Sequence, residues 1–122
     1  MTRVLILDDI ASSRKIHSRL LTRDGYCILE ADGLQAAIRS LQSYQFGSDN
    51  SIRDVVLISN TFQSKPALEV IQHFRKLGFK SLIFGLSGSK EDAQHFISSG
   101  ASGSIIKPLT LLKFQDAIQG NK

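Results

Sequence analysis

The sequence predicts a single α/β domain built on a parallel sheet. Two runs of apolar, mostly branched residues, at positions 4–7 and 55–58, contain no polar residue, which is typical of strands that are buried on both faces. Segments with apolar residues at helical spacing follow the strand-like runs, and most connectors are short. Such regular alternation of strands and helices predicts a parallel sheet with helices on both faces.

The length and composition of the chain fit one ordinary globular domain. Its 122 residues, of which 42% are hydrophobic and 21% charged, are enough to form a core without disulfides or metals. No apolar run approaches the roughly 20 residues of a membrane-spanning helix, and the N-terminal apolar run is too short for a signal peptide. The single cysteine, Cys27, excludes an internal disulfide and fits a reducing compartment. We therefore expect a cytoplasmic protein without membrane contacts.

The net charge of +4 is mild, and four basic residues fall close together in the first predicted helix. Such a cluster is either a patch for nucleic acid or an acidic partner, or a solvated helix face. No aromatic residue is interleaved with it and no nucleic-acid motif is present. We therefore favour a solvated face and expect no nucleic-acid binding by this domain alone. The four residues are Arg14, Lys15, Arg19 and Arg23.

The first part of the chain predicts two strand–helix units. The first strand spans residues 4–8, and Ser12 or Ser13 can cap the helix that follows. Asp24-Gly25 ends that helix, because glycine readily adopts the left-handed conformation that closes a helix. A short strand at residues 27–30 precedes the second helix. The residues expected on the inner faces are Ile16 and Leu20 in the first helix, and Leu34, Ala37, Ile38 and Leu41 in the second.

The third unit contains the second long buried strand. A polar run at residues 45–53 predicts a loop, and the strand at residues 54–58 is apolar enough to lie in the centre of the sheet. Ser59 stands at the carboxyl end of that strand. A loop at residues 60–66 leads to the third helix, which Gly78 closes. The residues expected on its inner face are Leu68, Ile71, Phe74 and Leu77.

Two shorter units complete the chain. Strands at residues 81–86 and 103–106 deliver Ser87 and Lys107-Pro108 to the same edge of the sheet. Ser89 and Asp92 have the spacing of a capping box for the fourth helix, and Thr110 can cap the fifth. The residues expected on the inner faces are Ala93, Phe96 and Ile97 in the fourth helix, which ends at Gly100, and Leu111, Phe114 and Ile118 in the fifth.

Five such units predict a flavodoxin-like doubly wound sheet with strand order 2-1-3-4-5. In that order the first and third strands are neighbours, so Asp8, Asp9 and Ser59 meet at the carboxyl edge, with Ser87 and Lys107 beside them. Ligands bind at this edge in open α/β sheets. Two adjacent carboxylates repel each other and require a cation, which is a metal, a lysine or a proton.

With these elements in place, the chain resembles a response-regulator receiver domain, the phosphoacceptor module of two-component signalling, over nearly its whole length. The resemblance rests on the order and spacing of short motifs that are weak individually. They are Leu7-Asp8-Asp9 after the first strand, Ser13-Arg14-Lys15 beyond it, Leu68-Glu69-Val70 in the third helix, Ser87-Gly88 after the fourth strand, and Gly100-Ala101 leading to Lys107-Pro108.

The resemblance implies a role for each residue at the sheet edge. In the family, two acids after the first strand and a backbone carbonyl beyond the acceptor hold Mg²⁺, which assigns Asp8, Asp9 and the carbonyl of Thr61. A hydroxyl residue and a lysine bind the phosphoryl oxygens, which assigns Ser87 and Lys107. The lysine of the family precedes a cis peptide bond, which an X-Pro bond permits at modest cost.

The acceptor position departs from the family, in which an aspartate ends the third strand. That position is Ser59 here, and no acidic residue lies between Val55 and Lys65. A carboxylate is ionised at neutral pH and can attack phosphorus, whereas a serine hydroxyl needs a general base to become nucleophilic. The site also loses one of three negative charges, so we expect its Mg²⁺ affinity to fall.

Three further positions differ from the family pattern. Gln63 and Ala67 stand where receivers usually carry a proline and then a glycine. Ser104 replaces the aromatic residue that swings inward on phosphorylation, so the bistable readout lacks its moving part. The loop around residues 47–51 is also longer than is usual in the family. The predicted machinery is incomplete.

Several residues keep two interpretations. Asp8 and Asp9 are either a retained metal site or an acid pair held by Lys107. Ser59 is either an inactive acceptor position, which we favour on nucleophile chemistry, or an alternative phosphoacceptor. Ser87 binds an oxyanion or caps a turn. We expect surface positions for His17, His73 and His95, and a small core residue at Cys27.

Together these observations predict an atypical, or pseudo-, receiver domain of a response regulator or hybrid histidine kinase. We expect no phosphorylation by the usual aspartyl route, no enzymatic activity, and action through protein–protein contacts. The expected partners are a histidine kinase or phosphotransfer protein on the first helix, or a downstream signalling protein on the last two helices and strand; a homodimer is left open. Two rivals are a small-ligand-binding flavodoxin-like domain and Mg²⁺-dependent phosphoryl transfer through Ser59, with Asp9 as base.

Overall fold

The computed structural model describes residues 1–59, 61–62 and 65–120. Five strands form the main sheet, and a two-stranded pair precedes the third helix. The strands are β1 (Thr2–Leu7), β2 (Cys27–Ala31), β3 (Arg53–Ser59), β4 (Thr61–Phe62), β5 (Lys65–Pro66), β6 (Leu82–Ser87) and β7 (Gly103–Ile106). The helices are α1 (Ala11–Arg23), α2 (Leu34–Ser43), α3 (Ala67–Lys76), α4 (Asp92–Ser98) and α5 (Leu111–Gln119).

The main sheet is parallel throughout, with the order β2-β1-β3-β6-β7. When the short β4–β5 pair is left aside, this is the order 2-1-3-4-5, so the predicted flavodoxin-like fold is confirmed. The β4–β5 pair is antiparallel and lies where the sequence predicts only a loop. This pair lies in the connection between α3 and β3, the strand that ends at Ser59.

The core consists of two layers, one on each face of the sheet. Leu5 and Leu7 of β1 pack with α2, α3 and α4, whereas Val4 and Ile6 pack with α1 and α5. This division follows from the alternation of side chains along a strand. The central strands are therefore apolar throughout, as the sequence predicts, because each of their faces meets a layer of helices.

Gly85 in β6 is required by the packing of α4. A Cβ atom at this position would lie 2.3 Å from the Phe96 ring, which is itself fully buried. The ring therefore rests directly on the backbone of β6 and fixes the distance between α4 and the sheet.

The inner face of α1 differs from the prediction. Ile16 is 64% exposed, and the buried residues of the helix are His17 and Leu21. The predicted surface position of His17 is therefore wrong, although His73 and His95 are exposed as expected. The helix begins at Ala11, and neither Ser12 nor Ser13 caps it. Leu20 is partly buried and packs against the same layer as Leu21, so the expected inner position is confirmed for Leu20 and wrong for Ile16.

Four smaller expectations are also wrong. Cys27 is exposed, because it opens the edge strand β2. Ile97 and Leu77 are 49% and 46% exposed. The N-cap residue of α4 is Glu91, whose side chain makes no cap hydrogen bond, so the capping box predicted at Ser89 and Asp92 does not form. By contrast, Thr110 caps α5 as predicted, because its Oγ1 accepts a hydrogen bond from the Lys113 amide over 3.2 Å.

Candidate functional site at the carboxyl edge of the sheet

The topology brings the predicted site residues to one edge of the sheet. Asp8 directly follows β1, Ser59 is the last residue of β3, Ser87 is the last residue of β6, and Lys107 directly follows β7. The register aligns these ends, since Leu7 pairs with Ile58, Ser59 with Leu86 and Ser87 with Ile106. The end of β1 is therefore level with the end of β3, as the sequence predicts.

Asp8 is buried, and hydrogen bonds hold it on three sides. Only 2% of the residue is exposed. Its amide donates to the Ala31 carbonyl over 3.2 Å, and its Oδ1 accepts from the Ile10 amide over 2.9 Å. Its carbonyl accepts from Arg14 Nη1 over 2.7 Å. The carboxylate thus has one oxygen committed to the Ile10 amide, just before the first residue of α1.

The donor set fits Mg²⁺ in kind but is small in number. Asp8 and Asp9 offer carboxylate oxygens, the hard ligands that Mg²⁺ prefers, and Asp9 is exposed at the edge. Within the described part of the chain, no group of three or more acidic, histidine or cysteine side chains is placed to hold a metal ion. Thr61, the predicted carbonyl ligand, lies in β4, where it pairs with Pro66. Asp8 and Asp9 are the residues that would hold the ion.

Ser59 is buried at the end of β3, with 6% of the residue exposed. The acceptor position implied by the resemblance therefore carries a shielded hydroxyl in place of a charge. A neutral hydroxyl of this kind lacks the ionisation that favours attack on a phosphoryl donor.

Ser87 is fully buried, and its hydroxyl is already engaged. Its Oγ donates to the Ser89 carbonyl over 2.9 Å, which is a local turn contact. An oxyanion would have to compete with that carbonyl for the hydroxyl proton. The geometry therefore favours the turn role over oxyanion binding in this state of the protein.

Lys107 is exposed and follows β7, where its amide donates to the Ser87 carbonyl over 2.7 Å. The Lys107–Pro108 peptide bond is cis, as the resemblance implies. The ion pairs formed among the described residues join Arg3 to Asp54, and Arg14 and Lys15 to Glu30. None of these pairs joins the Lys107 ammonium to Asp8 or Asp9, and the choice between a metal site and an acid pair held by this lysine stays a prediction.

His17 is the residue near this edge that the sequence analysis missed. It is only 9% exposed, and its Nδ1 is buried without a hydrogen-bond partner among the described residues. Burial lowers the pKa of His17, Lys107 lowers it further, and Asp8 opposes both by raising it. A second helical stripe runs through His17 and Leu21, one residue on from the predicted stripe through Ile16 and Leu20. That stripe is the sequence signal that would have predicted a buried His17.

The remaining departures from the receiver pattern are placed as follows. Ser104 is half-buried in the edge strand β7, and Ala67 is buried as the first residue of α3. Gln63 lies outside the described residues.

A search of the described helices for a membrane-spanning segment finds none of sufficient length and hydropathy.

Comparisons with known proteins support the fold. No protein-family model matches the sequence, and no curated protein sequence matches it. Among solved structures, the chemotaxis response regulator CheY4 of Vibrio cholerae is 23% identical and has a TM-score of 0.79, with 98% of each chain covered. A receiver domain protein from Clostridium thermocellum is 21% identical over 98% of this chain and 93% of that one, with a TM-score of 0.77.

A third similar structure is the beryllofluoride-activated NtrC4 receiver domain dimer. It is 23% identical over 98% of this chain and 95% of that one, with a TM-score of 0.78. The chain therefore has the fold of response-regulator receiver domains along nearly its whole length. This likeness concerns the fold, so the role of each site residue is argued from its own chemistry.

Proposed function

We propose that this chain is an atypical receiver domain in phosphorelay signalling, one that does not accept a phosphoryl group by the aspartyl route. The observation that carries the proposal is Ser59, a buried serine at the carboxyl end of β3, on a receiver-domain fold. In this proposal the domain is not an enzyme. It acts through protein–protein contacts, and its setting is the cytoplasm.

The chemistry of the edge supports an inactive acceptor. A serine needs a base to attack phosphorus, and Asp8, the neighbouring acid at the end of β1, has one carboxylate oxygen committed to the Ile10 amide. The Ser87 hydroxyl is committed to the Ser89 carbonyl. Mg²⁺ would be held by two carboxylates and by carbonyl or water oxygens, so its binding would be weak.

The surface of α1 supports docking of a histidine kinase or phosphotransfer protein there. Ile10 and Ile16 are 60% and 64% exposed, and Arg19 and Arg23 are exposed on the same helix. Exposed apolar residues rimmed by one sign of charge are typical of interaction sites. Because Arg14 and Lys15 pair with Glu30, the basic rim available to an acidic partner is formed by Arg19 and Arg23.

A downstream signalling partner would use the face of α4, β7 and α5. Ile97 of α4 is 49% exposed and Leu112 of α5 is 72% exposed, so this face also offers apolar side chains. Ser104 on β7 has no aromatic ring to move, which supports a single constitutive state of the face. A receiver without an aspartate and without this ring would present one surface regardless of phosphoryl donors.

A phosphoryl mimic tests the proposal directly. Beryllofluoride with Mg²⁺ forms an acyl-phosphate-like adduct on a carboxylate, so we expect no amide shift changes in the parent chain beyond those caused by Mg²⁺ alone. In the Ser59→Asp variant we expect saturable shifts at Ser87 and Lys107. A parent chain that responds as the variant does would overturn the proposal.

A further inference from the structure

One side chain, that of Arg14 in α1, fixes the backbone of the acid pair. Its Nη1 donates to the carbonyl of Asp8 over 2.7 Å, and its Nε donates to Glu30 Oε1 in β2 over 3.1 Å. The Arg14 side chain is 14% exposed and that of Glu30 is 28% exposed. Arg14 thus joins the end of β1 to the edge strand β2 through two charge-assisted hydrogen bonds, of which the one to Asp8 is partly buried and the one to Glu30 is exposed.

The contact to the Asp8 carbonyl has a geometric consequence for Asp9. That carbonyl belongs to the peptide group that links Asp8 to Asp9, and a peptide group is planar. Holding its oxygen therefore restrains the orientation of the whole group and, with it, the position of the Asp9 Cα atom that carries the side chain. The Asp8 amide is held at the same time by Ala31, and the Asp8 carboxylate by Ile10.

We propose that Arg14, oriented by Glu30, is a positioning residue for the carboxylates of Asp8 and Asp9. In this proposal the two hydrogen bonds of its guanidinium set the affinity of these carboxylates for Mg²⁺. This inference rests on the proposed function, in which these two acids hold the ion. Groups that orient a metal ligand without touching the metal typically change metal affinity roughly 10–100-fold when they are replaced. Arg14 also carries a positive charge, which by itself disfavours a divalent cation nearby.

The test separates geometry from charge. Arg14→Lys keeps the positive charge but lacks the planar fork that reaches two acceptors at once. Arg39→Lys, a matched change at an exposed position of α2, is the control. Both are made in the Ser59→Asp background, where a third carboxylate strengthens the metal site. Mg²⁺ is titrated while the amide resonances of Asp9 and Ile10 are followed.

We expect Arg14→Lys to weaken Mg²⁺ binding about tenfold or more, whereas Arg39→Lys stays within about twofold of the background. A second readout needs no metal. The Ile10 amide donates to the Asp8 carboxylate, so its hydrogen exchange should accelerate about tenfold in Arg14→Lys and Glu30→Ala. The unfolding midpoint should change little, which distinguishes positioning from a general loss of stability.

The outcomes separate this inference from the proposed function. If the Ser59→Asp chain binds Mg²⁺ and Arg14→Lys binds it equally well, the inference alone is overturned. If the Ser59→Asp chain binds no Mg²⁺, the inference fails together with the metal role assigned to Asp8 and Asp9. A tenfold loss confined to Arg14→Lys, with faster exchange at Ile10, supports it.

Discussion

Arg3 and Asp54 form a bidentate ion pair across the neighbouring strands β1 and β3. Arg3 Nε lies 2.6 Å from Asp54 Oδ1, and Nη2 lies 2.7 Å from Oδ2. Asp54 Oδ2 also accepts from the Gly47 amide over 2.8 Å, and the guanidinium lies 5.0 Å from the centroid of the Phe46 ring. The pair lies at the amino edge of the sheet, opposite the acid pair, and it ties the segment between α2 and β3 to the core.

Removing one partner of this pair should be costly. The Asp54 side chain is fully buried, so Asp54→Ala leaves the Arg3 guanidinium and the Gly47 amide without their acceptor. Breaking a buried pair in this way typically lowers the free energy of unfolding by roughly 3–5 kcal/mol. Urea unfolding measures the loss. Asp49→Ala is the control: this acid of the same segment is exposed, and its Oδ1 accepts from the amide and the hydroxyl of Ser51. It should lower the midpoint far less than Asp54→Ala, and equal midpoints for the two variants would contradict the assignment.

Gly85→Ala should destabilise the protein through a steric clash. The new methyl would lie 2.3 Å from the Phe96 ring, and overpacking of a core typically costs about 1–3 kcal/mol. Gly88→Ala is a matched control, since a Cβ there meets nothing within 4 Å. The smaller side chain of Phe96→Leu should reduce the cost of Gly85→Ala in a double-mutant cycle. Additive effects of the two changes would show that the Phe96 ring is not the obstacle.

The orientation of α1 is tested by truncating two of its residues, Leu21 and Ile16, to alanine. Leu21 is fully buried, whereas Ile16 is 64% exposed. Leu21→Ala should lower the free energy of unfolding by about 2–5 kcal/mol, and Ile16→Ala should change it by less than about 0.5 kcal/mol. Thermal or chemical unfolding of both variants is sufficient. A larger effect at Ile16 would mean that the helix is rotated toward the predicted stripe.

The buried His17 should make stability depend on pH. Burial lowers its pKa in the folded state, whereas the unfolded chain titrates near 6.5. Below that value the unfolded chain binds the proton first, so stability is fully present above about pH 6.5 and falls as the pH decreases, by at most about 1.4 kcal/mol per pH unit for one proton. Urea unfolding measures the loss in the free energy of unfolding between about pH 7.5 and about pH 5, which lie roughly one unit or more on either side of that pKa.

His17→Leu should flatten this part of the stability profile, because Leu carries no titrating group. His73→Gln removes an exposed histidine and should leave the profile as it is in the parent chain. A profile that stays equally steep in His17→Leu would assign the pH dependence to another group.

Much of the fold could be predicted because local signals and the global pattern agree. Residues 103–106 have the same bounds as the predicted fifth strand, and Thr110 caps α5 through its own side chain. The strand order follows from the alternation together with the number of units, which is five. For such elements the nearest residues in sequence decide the conformation, so no tertiary information is required.

The missed features depend on contacts that are distant in sequence. Ile16 is exposed and His17 is buried, the reverse of the prediction. Helical spacing fits a buried stripe through either residue, and the packing of α1 on β1 and β3 decides which one is buried. The N-cap residue of α1 is Ile10, whose side chain makes no cap hydrogen bond, and the serines at 12 and 13 lie inside the helix. At the site, the sequence predicted the shared sheet edge of Asp8, Ser59, Ser87 and Lys107. It did not predict the hydrogen bond from Ser87 to Ser89 or the one from Arg14 to Asp8, because spacing does not specify hydrogen-bond partners.

The central claim concerns Ser59, and intact mass after incubation with a small acyl phosphate and Mg²⁺ tests it most directly. The parent chain and the Ser59→Asp variant are compared under the same conditions. We predict that only the variant gains the mass of one phosphoryl group, because it alone has an ionised nucleophile at the end of β3. Phosphorylation of the parent chain at Ser59, located by peptide mapping, would contradict the account.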